Sequence, residues 1–265
     1  WLTLGRQAME SGMLYLLLTG GEPFLHPQFR EIMEGLHRMG LLISINSNGT
    51  LIDADTVAWL KNTPPVRMNI SLYGASDDTY ARLCGNPHGF TQVKRAIRLL
   101  TAAGIVVKLN VSLTPHNAAD LPSMVEFARA NGLMLQIATY MFPPVRRDAA
   151  AVGRNDRFSP EEAAYYMAYA DYLTLGAERF AAQTAPTPSD VDDSCAEAGE
   201  GIRCRAGKCS FWVNWQGYMI PCGMFPVDNS PCVFVTPFGA AWEQVKAYAA
   251  GVRLPSVCAD CEAKD

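Results

Sequence analysis

The chain has 265 residues, 49% of them hydrophobic and 18% charged, with a formal net charge of −4. That is enough apolar mass for one large domain or two modest ones. Mild acidity without any Lys/Arg block speaks against a nucleic-acid surface. The longest aliphatic run, Met13 to Leu18, is far too short to span a bilayer, and no signal peptide is visible. A cytoplasmic protein with no nucleic-acid and no membrane partner is expected.

The first 140 residues repeat one unit of short apolar strand, polar turn and amphipathic helix. Helices are predicted over 2–10, 28–39, 53–61, 92–103 and 121–130, and strands over 13–18, 41–46, 67–73, 105–113 and 133–140. Gly12, Gly40, Gly104 and Gly132 stand where each helix hands over to a strand, the C′ position that favours glycine. This alternation implies parallel pairing with right-handed crossovers, in an open sheet or a barrel. The strands carry a second signal. Ser44 and Asn46, then Asn69, Ser71 and Tyr73, then Lys108, Asn110 and Ser112 fall on one face, while Ile43, Ile45, Ile70, Leu72, Leu109 and Val111 fall on the other. A filled barrel interior is branched and apolar. The pattern therefore predicts an open or partial barrel whose polar lumen holds a ligand, backed by an apolar layer under helices.

Beyond Tyr140 the texture changes. Residues 142–148 are rich in chain breakers, and Ser159-Pro160-Glu161-Glu162 is a strong helix start for a helix running toward Phe180. Residues 183–201 read as an exposed connection. A hairpin is predicted from 210–214 and 218–222 around Trp215-Gln216-Gly217, followed by a helix over 240–249. The expected organisation is a barrel core over 1–148, a helix and linker over 149–201, and a Cys-rich domain over 202–265.

Cys84 and Cys195 stand alone, as small apolar residues or unpaired thiols. Cys204, Cys209, Cys222, Cys232, Cys258 and Cys261 gather in the last quarter of the chain. Disulfides are disfavoured without a sign of an oxidising compartment, so this set reads as a metal site, and thiolates suit zinc and iron–sulfur clusters alike. His26, His37, His88 and His116 show no ligand spacing. Within Thr19-Gly20-Gly21-Glu22-Pro23-Phe24, two glycines let the backbone approach a ligand. Glu22 follows the end of a strand, where parallel α/β folds bind their ligands.

Gly20-Gly21-Glu22-Pro23, Asn46-Ser47-Asn48-Gly49-Thr50 and Ser71-Leu72-Tyr73-Gly74, in that order after successive strands, resemble the radical S-adenosylmethionine (radical SAM) enzymes. The C-terminal part resembles their SPASM/twitch extension. Cys204, Gly217 and Cys222 match Cys-x9–15-Gly-x4-Cys, and Cys258 and Cys261 match the opening of the Cys-x2-Cys-x5-Cys-x3-Cys that follows. The resemblance implies a partial (β/α)6 TIM-like barrel with its first strand missing, then the small Cys-rich extension with its hairpin. The defining Cys-x3-Cys-x2-Cys and the last SPASM cysteines are not in this sequence, which opens on Trp1 and ends four residues after Cys261. The expectation is a fragment or a chain short of both termini, inactive alone.

The resemblance also implies roles. Gly20, Gly21, Glu22 and Pro23 would receive the methionyl amino group of S-adenosylmethionine, by charge-assisted bonds from an ammonium. Ser71 would contact the cofactor, with Arg82, or secondarily Arg95, at its carboxylate. Asn46, Asn48 and Asn110 are lumen candidates. Cys204 and Cys222, with Cys209 added, would hold one auxiliary [4Fe–4S] cluster, and Cys258 and Cys261 would begin a second; Cys232 has no assigned role. The implied activity is reductive cleavage of S-adenosylmethionine at a [4Fe–4S] cluster, fed by a donor such as flavodoxin or ferredoxin. The 5′-deoxyadenosyl radical so formed would modify a peptide or protein substrate, as in thioether or carbon–carbon crosslinking of ribosomal peptides. Gly223 stands where sulfatase-maturing relatives carry Asp, which disfavours that branch. The competing expectation is a catalytically inactive barrel serving as a peptide-binding scaffold with a structural zinc site.

Overall fold

The computed structural model describes residues 1–141, 157–184 and 204–253. These divide into two compact units, the first holding 1–141 with 157–184 and the second holding 204–253. The predicted connections over 142–148 and 183–201 lie largely outside the described residues, as do Cys195, Cys258 and Cys261.

In the first unit, α1 (Leu2–Glu10), α2 (Phe29–Arg38), α3 (Ala54–Leu60), α4 (Asp77–Cys84), α5 (Gly89–Ala102) and α6 (Leu121–Ala130) alternate with β1 (Tyr15–Leu18), β2 (Leu42–Ser47), β3 (Arg67–Ser71), β4 (Val107–Ser112) and β5 (Met134–Ala138). The strands form one sheet in the order β1-β2-β3-β4-β5, every neighbour parallel. Sequential order with all-parallel pairing is the wall of a partial barrel, as the strand–helix alternation requires. Gly12, Gly40, Gly104 and Gly132 all take the left-handed conformation expected of them.

The two faces of the sheet differ as the alternation predicts. Ile43, Ile45, Met68, Ile70, Leu109 and Val111 are buried beneath the helices in one core with Met33, Leu36, Leu60, Val93, Ile97, Leu100 and Met124. Each such side chain contributes roughly 1.5–3 kcal/mol on leaving water. The opposite face is open. In register across it stand Ser44 beside Arg67, then Asn46, Asn69 and Lys108, then Ser71, Asn110 and Gln136. Its edges are less polar: Tyr15 and Leu17 on β1 and Met134 on β5 share this face and are exposed.

One helix escaped the sequence reading. The segment after β3 forms α4, capped by the Ser76 hydroxyl accepting from Thr79 N at 3.1 Å and closed by left-handed Gly85. With only Thr79 and Tyr80 buried, it lacks the apolar stripe that marks α2, α5 and α6. The helix predicted to run toward Phe180 breaks at Gly176 (φ 82°) into α7 (Pro160–Leu175) and α8 (Ala177–Thr184). Its capping box is formed: Ser159 Oγ accepts from Glu162 N at 3.2 Å, and Ser159 N donates to Glu162 Oε2 at 2.8 Å. Helix α7 packs on α6 and β5, where Thr139 donates to the Ala163 carbonyl at 2.8 Å, so it completes the first unit.

In the second unit, β6 (Trp212–Val213) pairs antiparallel with β7 (Met219–Ile220), and α9 (Phe238–Gly251) packs on β7. The Asn214 carboxamide closes the turn by accepting from Gln216 N and Tyr218 N, each at 2.9 Å. Gly217 has φ 86°, and a Cβ there would meet the Phe234 ring at 2.5 Å, so both conformation and packing demand glycine. No helix among the described residues is long and apolar enough to cross a membrane.

Candidate functional site

The loop leaving β1 is held by its own carboxylate. Glu22 is extended and half-buried. Its Oε1 accepts from Ser47 Oγ at 2.8 Å and from Phe24 N at 3.3 Å, and its Oε2 accepts from Asn48 N at 2.7 Å. Ser47 Oγ accepts in turn from Gly49 N at 3.0 Å. The carboxylate thus ties the β1 loop to the end of β2, and buried Pro23 starts a short 3₁₀ turn behind it. Residues 20 and 21, like Gly239 and Gly251 in the second unit, have no positive φ, a Cβ at either would touch nothing within 4 Å, and both are exposed. Nothing in the fold requires glycine there, and its effect is to leave the backbone bare above the open face. The sequence reading aimed the Glu22 carboxylate at a ligand. The structure gives both its oxygens protein donors, and beside the carboxylate the loop exposes the backbone of Gly20 and Gly21.

The Asn48 side chain is also engaged, accepting from Thr50 N at 2.9 Å and Thr50 Oγ1 at 2.7 Å. Ser71 ends β3 on the open face, in register with Asn110. The chain leaving β3 is braced from three elements: Tyr80 OH accepts from Tyr73 N at 3.2 Å, Asn117 Nδ2 donates to Tyr73 O at 3.0 Å, and Asp120 Oδ2 accepts from Ala75 N at 2.7 Å. Burial pushes the Tyr80 phenol well above the ordinary tyrosine range, so it stays protonated. Sequence reasoning missed these three braces because each is a polar residue defined only by a partner distant along the chain.

Across the open face, Arg67 Nε donates to Asn69 Oδ1 at 2.9 Å, Asn69 Nδ2 donates to Asn46 Oδ1 at 2.8 Å, and Lys108 donates to Gln136. Burial, and then the adjacent Arg67 charge, pull the Lys108 ammonium below the usual lysine range. Asn110 Oδ1 is buried with no donor. An unsatisfied buried acceptor is costly, and its presence beside Ser71 is what a donor-bearing ligand would relieve. On that test the bare loop backbone, the polar rows and the open acceptor fit a polar ligand with amino and hydroxyl groups, as S-adenosylmethionine has.

One expected contact is not brought to this face. Arg95 is exposed on the outer side of α5, where it lines a groove with Asp53, Asp55 and Arg98. Arg82 is exposed on α4, with Nη2 donating to Thr79 Oγ1 at 3.3 Å. Cys84 ends α4, and burial raises its thiol. In the second unit, Cys204 Sγ accepts from Ala206 N and Cys222 Sγ from Met224 N, each at 3.4 Å. Cys209 is exposed, and Cys232 Sγ lies 3.9 Å from Gln216 O. Among the described residues no three His, Cys, Asp or Glu side chains gather at one point that could hold a metal ion. Cys204, Cys209 and Cys222 by themselves therefore form no cluster cage.

A sequentially ordered parallel sheet with a polar rather than filled inner face is a partial α/β barrel, a fold whose ligands sit at the carboxyl ends of the strands. Residues 4–128 match the Radical SAM superfamily. The chain is 24% identical to the AdoMet-dependent heme synthase of Methanosarcina barkeri, over 96% of this chain and 76% of that one. It is 23% identical to the antilisterial bacteriocin subtilosin biosynthesis protein AlbA of Bacillus subtilis, over 83% of this chain and 47% of that protein. Among solved structures, Streptococcus suis SuiB bound to the precursor peptide SuiA superposes with a TM-score of 0.71 at 20% identity, covering 97% of this chain and 61% of SuiB. The chain thus spans about half of AlbA and under two thirds of SuiB.

Proposed function

We propose that the protein is a radical SAM enzyme of the SPASM type that modifies a peptide, with S-adenosylmethionine seated on the open polar face. When bound, that cofactor and its reduced [4Fe–4S] cluster supply a carbon radical for hydrogen abstraction. This chain's residues bind and orient. The bare carbonyls of Gly20 and Gly21 accept from the cofactor's ammonium, Glu22 keeps the loop in register with β2, and Asn110 Oδ1 accepts from a donor on the ligand. Ser71 lines the seat between them. The observation that carries the reading is the pairing of an unsatisfied Asn110 acceptor with two glycines that the fold does not need. Names among the relatives support the substrate class: subtilosin is a bacteriocin product, and SuiB is seen with a precursor peptide.

The second unit, with Cys204, Cys209 and Cys222 and with Cys258 and Cys261 outside the described residues, is assigned to auxiliary cluster binding. A flavodoxin- or ferredoxin-type donor would supply electrons. A heme-type substrate is the second reading, favoured by the heme synthase relative across nearly the whole chain. The test is anaerobic reconstitution of the gene product, followed by assay of iron, sulfide and 5′-deoxyadenosine. Iron and sulfide with 5′-deoxyadenosine release are expected. Bound zinc without cofactor cleavage would refute the enzyme and leave a scaffold.

A further inference from the structure

Among the described strands the open face carries charge of one sign only. Arg67 and Lys108 project onto it, half-buried, while no Asp or Glu of β1 to β5 lies on that face. Their registers make them diagonal neighbours: Arg67 lies opposite Ser44, and Lys108 opposite Asn69, two residues further along β3. Each is hydrogen-bonded only to a neutral amide, Asn69 and Gln136 respectively, and neither has a carboxylate partner among the described residues. Burial and the Arg67 charge both act against the Lys108 ammonium. Two like charges held together in a partly desolvated place without an anion are stabilised by one that arrives.

We propose that Arg67 and Lys108 form an anion subsite at the floor of the open face, which receives a carboxylate of the substrate, specifically an acidic side chain of the peptide. Source and class rest on the peptide reading above; the subsite itself does not. The pair is separated from the cofactor seat. The Glu22 loop is tied at Ser47 and Asn48, and Ser47 is in register with Ile70, three residues along β3 from Arg67. At about 3.3 Å per residue this is roughly 10 Å. The cofactor's own carboxylate shares one carbon with its amino group and stays beside the loop. A second anion is therefore needed to reach the floor, and a guanidinium with an ammonium is a donor set suited to a carboxylate. Asn46 and Asn69, already joined to each other and to Arg67, hold the guanidinium against the sheet.

The test uses the full chain and two probes. In the first arm, the lysines are trace-labelled with acetic anhydride and quantified by mass spectrometry, with glutarate or neutral glutaramide present. Glutarate is expected to slow labelling of Lys108 at least fivefold relative to glutaramide while Lys94 and Lys246 are unchanged, and Arg67→Gln is expected to abolish the protection. Equal Lys108 labelling in glutarate and glutaramide overturns the subsite, and this comparison needs no variant to fold. In the second arm, fluorescein-labelled peptides identical but for a central Glu or Gln are compared by anisotropy. A tenfold preference for the Glu peptide, lost in Lys108→Gln, supports the peptide source. Protection by glutarate with no Glu preference overturns the peptide source and leaves the subsite standing for a small carboxylic acid.

Discussion

Replacing Glu22 by Gln keeps the length and shape of the side chain and removes the charge that three donors share. Ser47 Oγ and Phe24 N point at one oxygen and Asn48 N at the other, at 2.8, 3.3 and 2.7 Å. An amide presents one acceptor and one NH2 group. The Ser47 hydroxyl can rotate to accept, but a backbone N–H cannot, so the better orientation keeps the oxygen on Asn48 and sets the NH2 against Phe24 N. One charge-assisted bond is lost and one donor stranded, costing about 1.5–3 kcal/mol. For a domain of this size that lowers Tm by about 3–12 °C. Thermal unfolding followed by circular dichroism gives the first readout, and hydrogen exchange at the Phe24 and Asn48 amides gives the local one. Both amides are expected to exchange faster in E22Q. Unchanged melting together with unchanged exchange at both would refute the assignment of Glu22 as the brace of the loop.

Other substitutions separate fold from function. Gly21→Ala meets open space and no backbone strain, so it is expected to leave Tm unchanged while weakening S-adenosylmethionine about tenfold in calorimetric titration, equivalent to about 1.4 kcal/mol. Asn110→Ala removes an acceptor that has no donor, so stability is expected to shift by under about 1 kcal/mol in urea unfolding while ligand affinity falls. Tyr80→Phe strands Tyr73 N in a half-buried place and is expected to cost about 1–2 kcal/mol by the same measurement. Asp53 caps α3 by accepting from Thr56 N at 2.8 Å, and those bonds, first the backbone one, hold its carboxyl below the usual range. Its contribution is complete above about pH 4 and fades as pH falls through the depressed folded value, so Asp53→Asn is expected to flatten the acid limb of stability against pH.

Much of the first unit was legible because its signals are periodic. Each of the five strands announced itself as a short apolar run, and the polar residues at every second position of β2, β3 and β4 foretold an open face. Helix α4 was not legible by period; Ser76 with Asp77 and Asp78 behind it was the available cap signal. The loop glycines were legible as a place where backbone could approach a ligand, but the partner of the Glu22 carboxylate was not, because Ser47 and Asn48 lie 25 and 26 residues away and only the β1–β2 register brings them together. The same limit applies to Arg95. Its position after β3 suggested a ligand contact, whereas its place on the α5 turn faces it outward. Cysteine spacing pointed to a metal site, yet the three described motif cysteines do not close one.

The central claim is that S-adenosylmethionine sits on the open face beneath the glycine loop. Hydrogen exchange of the anaerobically reconstituted protein, with and without the cofactor, tests it most directly. Slowed exchange confined to residues 19–24, 46–50, 71–75 and 108–112 is the result expected. Protection centred instead on the outer groove of Asp53, Asp55, Arg95 and Arg98, or no protection at a saturating concentration, would contradict it.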